Sequence, residues 1–172
     1  MRKTKASAVI STFILCYLLW ILFTWSFATQ ELIAGAAVSL LVALFTARFF
    51  IHEDAYHLFK PQYFSNLVLY MFVFAKELIK ANIDVAKRAL NPKLPINPGI
   101  VKVYTEMKSE YGLAMLANSI TLTPGTITLD IAEEKGKTFF YIHWIDVATT
   151  DSVEAGEAIK GTLEKWVRRI WK

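Results

Sequence analysis

The side chains best suited to bind a metal sit in one short segment: His52, Glu53, Asp54 and His57. A zinc or similar centre needs three or four such ligands in a fixed geometry. His52 and His57 are five residues apart, a poor spacing for one face of a helix, and no second cluster completes the set. The group reads as a polar turn. His143 stands in an alternating stretch with no serine or cysteine nucleophile evidently paired to it, so it reads as a packed or surface histidine. Asp130 and Asp146 end predicted strands, where carboxylates commonly cap turns, and nothing in the sequence supports an acid–base pair between them. Phosphate-loop, dinucleotide-loop, Cys-x-x-Cys and serine-elbow patterns are absent from the sequence. The expectation is therefore no catalytic residue, no cofactor and no metal ligand.

A second stretch is odd in the opposite way. "LANSITLTPGTITLDI", residues 116–131, has four threonines around one Pro-Gly pair, with a single carboxylate and no histidine or cysteine. Pro124 followed by Gly125 is the pattern of a type II turn, in which glycine supplies the positive φ.

These residues must be positioned by a chain of 172 residues that is 55% hydrophobic, with mean hydropathy +0.37. That exceeds the usual apolar share of a soluble domain and points to a membrane protein. Residues 1–100 hold ten Lys/Arg against five Asp/Glu; residues 101–172 hold nine against ten. The basic excess thus lies beside the apolar half, where positive charge marks the cytoplasmic face. It is no nucleic-acid footprint, since the polar half has no Lys/Arg cluster with interleaved aromatics. The lone Cys16 lies in an apolar run and makes no internal disulfide.

Residues 6–30 carry no charge, and this 25-residue run exceeds the roughly 20 needed to cross a bilayer as helix. It is also longer than the apolar core of a signal peptide, about 7–15 residues. A second apolar run, 32–51, has only Arg48 near its end. Trp20, Trp25 and Phe27 resemble an aromatic belt. The expectation is a transmembrane hairpin in residues 1–60, with spans of about 6–28 and 32–51 joined through "ATQE". Arg2, Lys3 and Lys5 on one side and Arg48 and Lys60 on the other place both its ends in the cytoplasm. Residues 61–90 predict one amphipathic helix on the cytoplasmic membrane surface. A third span there would put Lys80, Lys87, Arg88 and Lys93 just outside, against the positive-inside bias.

"NPKLPINPG", residues 91–99, has a proline at every third position, which favours an extended linker. The domain boundary is expected there. Beyond it, "VKVYTEM" alternates as a strand. Ser109 caps a helix to about Leu122, with Leu113, Leu116, Ala117 and Ile120 on one stripe. "TITLDI" and "TFFYIHWID" are strands around an "EEKGK" hairpin. Asp151 and Glu154 form a capping box for a last helix striped by Ile159, Leu163, Trp166, Val167 and Ile170. Residues 100–172 thus predict a small β-α-β-β-α domain of ferredoxin-like character. The overall class is membrane α plus α+β.

Taken with "KELIKANIDVAKRALNPKLPINPGIV" before it and "YIHWIDV" after it, the threonine stretch closely resembles the E subunit of multi-subunit Mrp (also Mnh or Pha) cation/proton antiporters. The resemblance runs from the apolar hairpin to the final helix. It implies a small subunit of a bacterial inner-membrane complex that exchanges Na⁺, sometimes K⁺, for H⁺. Larger antiporter-like subunits then carry the ion paths, and related subunits occur in membrane-bound hydrogenases. The implied partners are those other subunits and membrane lipid. The signature falls on Asn118, Thr121, Thr123, Pro124, Gly125 and Thr126, and more weakly on Asp130 and His143. The stretch is then either local fold chemistry or a contact surface facing another subunit. Two further readings stay open: a membrane-tethered regulatory domain binding a small anion at the turn's amides, and a membrane enzyme.

Overall fold

A computed structural model describes residues 6–50 and 60–171, apart from the side chains of residues 7 and 47–50. By its contacts the chain divides into two compact units, 1–60 and 61–172.

The first unit contains α1 (Ala6–Thr24) and α2 (Thr29–Phe50). The first apolar run predicts a helix to about residue 28, but α1 stops at Thr24, and Trp25 turns the chain with φ +48°. Thr29–Glu31, expected in the connection, instead form the first turn of α2, where Glu31 sits favourably at the positive end of the helix dipole. The helices pack through small residues. Ala8, Ser39 and Ala43 are buried, and a Cβ on Gly35 would collide with the Trp20 indole. Such close backbone approach is how helices associate in lipid. Most large side chains face outward, Leu15, Leu22, Leu41 and Phe45 among them. Among the described residues one helix, through Thr29–Thr46, is long and apolar enough to cross a membrane; the apolar stretch of α1, Ala8–Thr24, is just shorter.

The second unit is built from α3 (Pro61–Ala89), β1 (Gly99–Thr105), α4 (Glu110–Leu122), β2 (Thr126–Glu134), β3 (Lys137–Trp144) and α5 (Ser152–Ile170). Its sheet is antiparallel in the order β1-β3-β2, so β1, α4 and β2 form a split β-α-β unit with β3 between the two strands. Lys135 (φ +52°) and Gly136 (φ +75°) make the two-residue hairpin turn. Val101, Val103, Phe140 and Ile142 face α4 and α5 and form the core with Leu116, Ile120, Leu163, Val167 and Ile170. Ser109 caps α4, its side chain accepting from the Gly112 amide. Asp151 caps α5 at the amides of Val153 and Glu154. The reciprocal half of the capping box is relayed: the Asp151 amide donates to Thr149 Oγ1, and that hydroxyl donates to Glu154.

Three features depart from the sequence expectation. First, contacts part at Lys60/Pro61 rather than in 91–99, because α3 packs along α5 and folds with the domain. Asn66 donates to the Arg169 carbonyl (3.1 Å), and buried Tyr70 bonds the Ser119 hydroxyl. Since Ser119 donates its own proton to the Met115 carbonyl, Tyr70 is the donor. Second, the proline-rich stretch is only half extended. Asn91 accepts at its side chain from the Lys93 amide and at its carbonyl from the Leu94 amide, closing a tight turn before Pro95. Third, α5 buries Lys160, at 5% exposure, ahead of the half-exposed Ile159 and Trp166. Its ammonium pairs with Glu164, whose other oxygen accepts from the buried Thr105 hydroxyl.

Candidate functional site

A helix leaves its last carbonyls unpaired. At the end of α4 the threonines of the signature supply the donors. The Thr123 amide reaches the Ser119 and Ile120 carbonyls, both at 3.3 Å. Its hydroxyl donates to Ile120 O at 2.7 Å, and Thr126 Oγ1 reaches the same oxygen at 2.8 Å. Pro124 has no amide proton with which to continue the helix, and Gly125 takes φ +97°, as position i+2 of a type II turn requires. Thr121 then accepts from the Thr128 amide (3.1 Å), and Thr128 donates to the Ala117 carbonyl (3.2 Å). The hydroxyls therefore lace α4 to β2 and are turned to the domain's own backbone.

The turn is also tied to the two flanking motifs. The Ile145 amide donates to the Gly125 carbonyl at 2.8 Å, while the Ile145 carbonyl accepts from the Asn97 amide at 3.2 Å. Asn97 in turn accepts from the Val147 amide (2.8 Å) and donates its side-chain amide to the Val147 carbonyl. Arg88 closes the junction from α3. Its guanidinium bonds Asp84 (2.9 Å), Asp146 and the Pro95 carbonyl (3.0 Å). Asp84, then Asp146, hold its pKa above the ordinary arginine value. Thus α3, the proline-rich stretch, the Pro-Gly turn and the end of β3 meet at residues 145–147. Beside them a groove of about 410 Å³ runs between Pro124, Gly125, α3 and α5. Its lining alternates charge, with Glu77, Asp84 and Glu157 against Lys80 and Arg88.

The remaining sequence candidates are dispersed. Asn118 is exposed on α4. Asp130 follows a bulge at Leu129, opposite Tyr141, and its carboxylate accepts from the next amide, Ile131 N (2.8 Å). His143 lies between Ile100 and Ile127 across the strands. Neither lines the groove. His52, Glu53, Asp54 and His57 lie outside the described residues. No group of three or more His, Cys, Asp or Glu among the described residues could hold a metal ion. Arg88 was not singled out as a hub by the sequence, where it is one of several cations on a helix. Its only local signal is the (i, i+4) spacing from Asp84.

Comparison with known proteins places this geometry in a known setting. A family model described as "Na+/H+ ion antiporter subunit" matches residues 13–170. The chain is 38% identical over 166 residues to the E1-type subunit of the Na⁺/H⁺ antiporter of Staphylococcus haemolyticus, covering 96% of this chain and 98% of that protein. It is 36% identical over 154 residues to the E-type subunit of the Na⁺/H⁺ antiporter of Alkalihalophilus pseudofirmus, covering 90% and 92%. Among solved structures it resembles a chain of the membrane-bound sulfane sulfur reductase, an archaeal respiratory membrane complex. That match has TM-score 0.77 and 43% identity, over 96% of this chain and 99% of the other.

Proposed function

Because the chain belongs to the family of Na⁺/H⁺ antiporter E subunits, we propose that it is an accessory subunit of a multi-subunit cation/proton antiporter. The observation that carries this reading is the end-to-end similarity to E subunits, 96% of this chain against 98% of the relative. The chain's chemistry agrees. Residues 6–30 and 32–47 contain no Asp, Glu, His, Lys or Arg, and a path for protons or sodium needs ionisable groups at depth. The ion route then belongs to other subunits, and this one supports their assembly and activity. In this reading α1 and α2 form a transmembrane hairpin in the plasma membrane. The Lys/Arg bias puts residues 61–172 in the cytoplasm, and the Pro124–Gly125 edge of the groove faces another subunit.

A second host is favoured by one observation: the 43% identity and TM-score 0.77 to a chain of a respiratory sulfane sulfur reductase. The same accessory role then serves a redox-driven complex. One experiment separates the readings. The tagged chain is purified from its own membranes in mild detergent, and the associated proteins are identified. The antiporter reading expects several large multi-span proteins and Na⁺/H⁺ exchange on reconstitution. Redox subunits in their place would move the protein to the second host. A chain that emerges alone would overturn both and favour a tethered ligand-binding domain.

A further inference from the structure

Helix α3 has two apolar faces, and only one is used by the domain. Tyr70, Leu78, Val85 and the Arg88 clamp turn inward. On the opposite side Phe64, Val68, Met71, Phe72, Ile79 and Ile83 recur at intervals of three, four or seven, which aligns them along one side of a helix. All six are exposed, Phe72 at 70% and Ile79 at 61%. From Phe64 to Ile83 the stripe runs about 28 Å at the helical rise. The charges are sorted around it. The acids Glu77 and Asp84 engage Lys80 and Arg88. Lys76, Lys80 and Lys87 flank the stripe on one side, and with Ile79, Ile83 and the Arg88-paired Asp84 they line a shallow depression of about 400 Å³.

We propose that this outer face of α3 lies in the plane of the membrane on anionic phospholipid. The six apolar side chains dip below the headgroups, and Lys76, Lys80 and Lys87 engage their phosphates. An apolar stripe flanked by lysines is the design of an interfacial helix, buried about 5–10 Å, and cytoplasmic leaflets attract such basic flanks. Upright insertion is opposed by the packing. Asn66 is bonded to the backbone at Arg169, next to the exposed Arg168–Glu106 ion pair, so sinking the start of α3 would drag those charges into hydrocarbon. The inference rests on the membrane location proposed for the hairpin.

The test uses the full chain, with Cys16→Ala as background, in vesicles of phosphatidylethanolamine and phosphatidylglycerol. Spin labels are placed singly at positions 64, 71, 79 and 83, at 15 and 41 in the hairpin, and at 127 on the open sheet face. Oxygen and a water-soluble nickel chelate report lipid and water access. The expected result is one shallow lipid depth for all four α3 positions, with position 127 in water. Lys76→Gln, Lys80→Gln and Lys87→Gln together should raise nickel access at 79 and 83 to the value at 127. Four α3 positions as wet as 127, or a depth increasing steadily from 83 to 64, would overturn the proposal while 15 and 41 remain in lipid. Water access at 15 and 41 would instead refute the membrane location itself. The same labels are read in the assembled complex, where shielding of 79 and 83 from both reagents would assign the face to a protein partner and likewise overturn it.

Discussion

At the scale of single residues the Pro-Gly turn has little tolerance on one side and some on the other. Gly125→Val puts a branched side chain at φ +97°, with its Cβ 3.1 Å from Ile145 Cγ2 and 3.5 Å from Val85 Cγ2. The strain is expected to cost about 1–3 kcal/mol, read as lower subunit abundance and a lower melting temperature. Thr123→Ala removes a buried hydroxyl bond to Ile120 O, but Thr126 still serves that oxygen. A loss of about 1 kcal/mol is expected, or roughly 4 °C in a domain of this size. The folded fraction should still enter the complex, because this hydroxyl faces inward. Cells that rely on this subunit and show poor sodium tolerance despite a stably folded Thr123→Ala protein would give the hydroxyl a contact role. The turn itself was legible from the Pro-Gly spacing alone. The destination of the hydroxyls was not, since their acceptors at Ile120 and Ala117 become neighbours only once α4 folds back on β2.

At the scale of elements, α3 shows what sequence periodicity resolves and what it leaves open. The helical spacing over 61–90 fixes the helix almost to the residue, because Pro61 starts it and Asn91 turns the chain out. A stripe gives the direction of an apolar face but does not name what covers it. The inner face meets α5 and α4 through contacts more than forty residues away in sequence, which no local pattern encodes. Lys160 is a similar case. A lysine on a predicted helix reads as solvent-facing, and only the joint placement of Glu164 and Thr105 lets it be buried. The tie between α3 and α4 is testable at Tyr70. Burial raises its pKa above the ordinary tyrosine value. A raised pKa means that the unfolded chain ionises first. The stability tied to the neutral phenol is present below about pH 10 and declines as pH rises toward the folded value. Tyr70→Phe should therefore cost about 1 kcal/mol at neutral pH and remove that part of the alkaline decline, as measured by thermal unfolding across pH 8–11.

At the scale of the whole molecule, the proposed function gives anchoring to residues 1–60 and subunit contact to residues 61–172. The isolated chain, reconstituted without partners, is expected to give no Na⁺-driven proton flux, since its apolar runs hold no Asp, Glu, His, Lys or Arg at depth. Flux above that of empty vesicles would contradict this. A reporter fused after Lys172 is expected to be active only on the cytoplasmic side.

The β2–β3 hairpin has a consequence for experiment. Its tip is Lys135 and Gly136, and a Cβ built on Gly136 meets nothing within 4 Å. Lengthening a loop costs only the logarithm of its size, about 1–2 kcal/mol for ten added residues. The tip is therefore a handle: an epitope or small fluorophore inserted between Lys135 and Gly136 should leave the chain folded. It would let the domain be pulled down or imaged with both termini, the groove and α3 undisturbed.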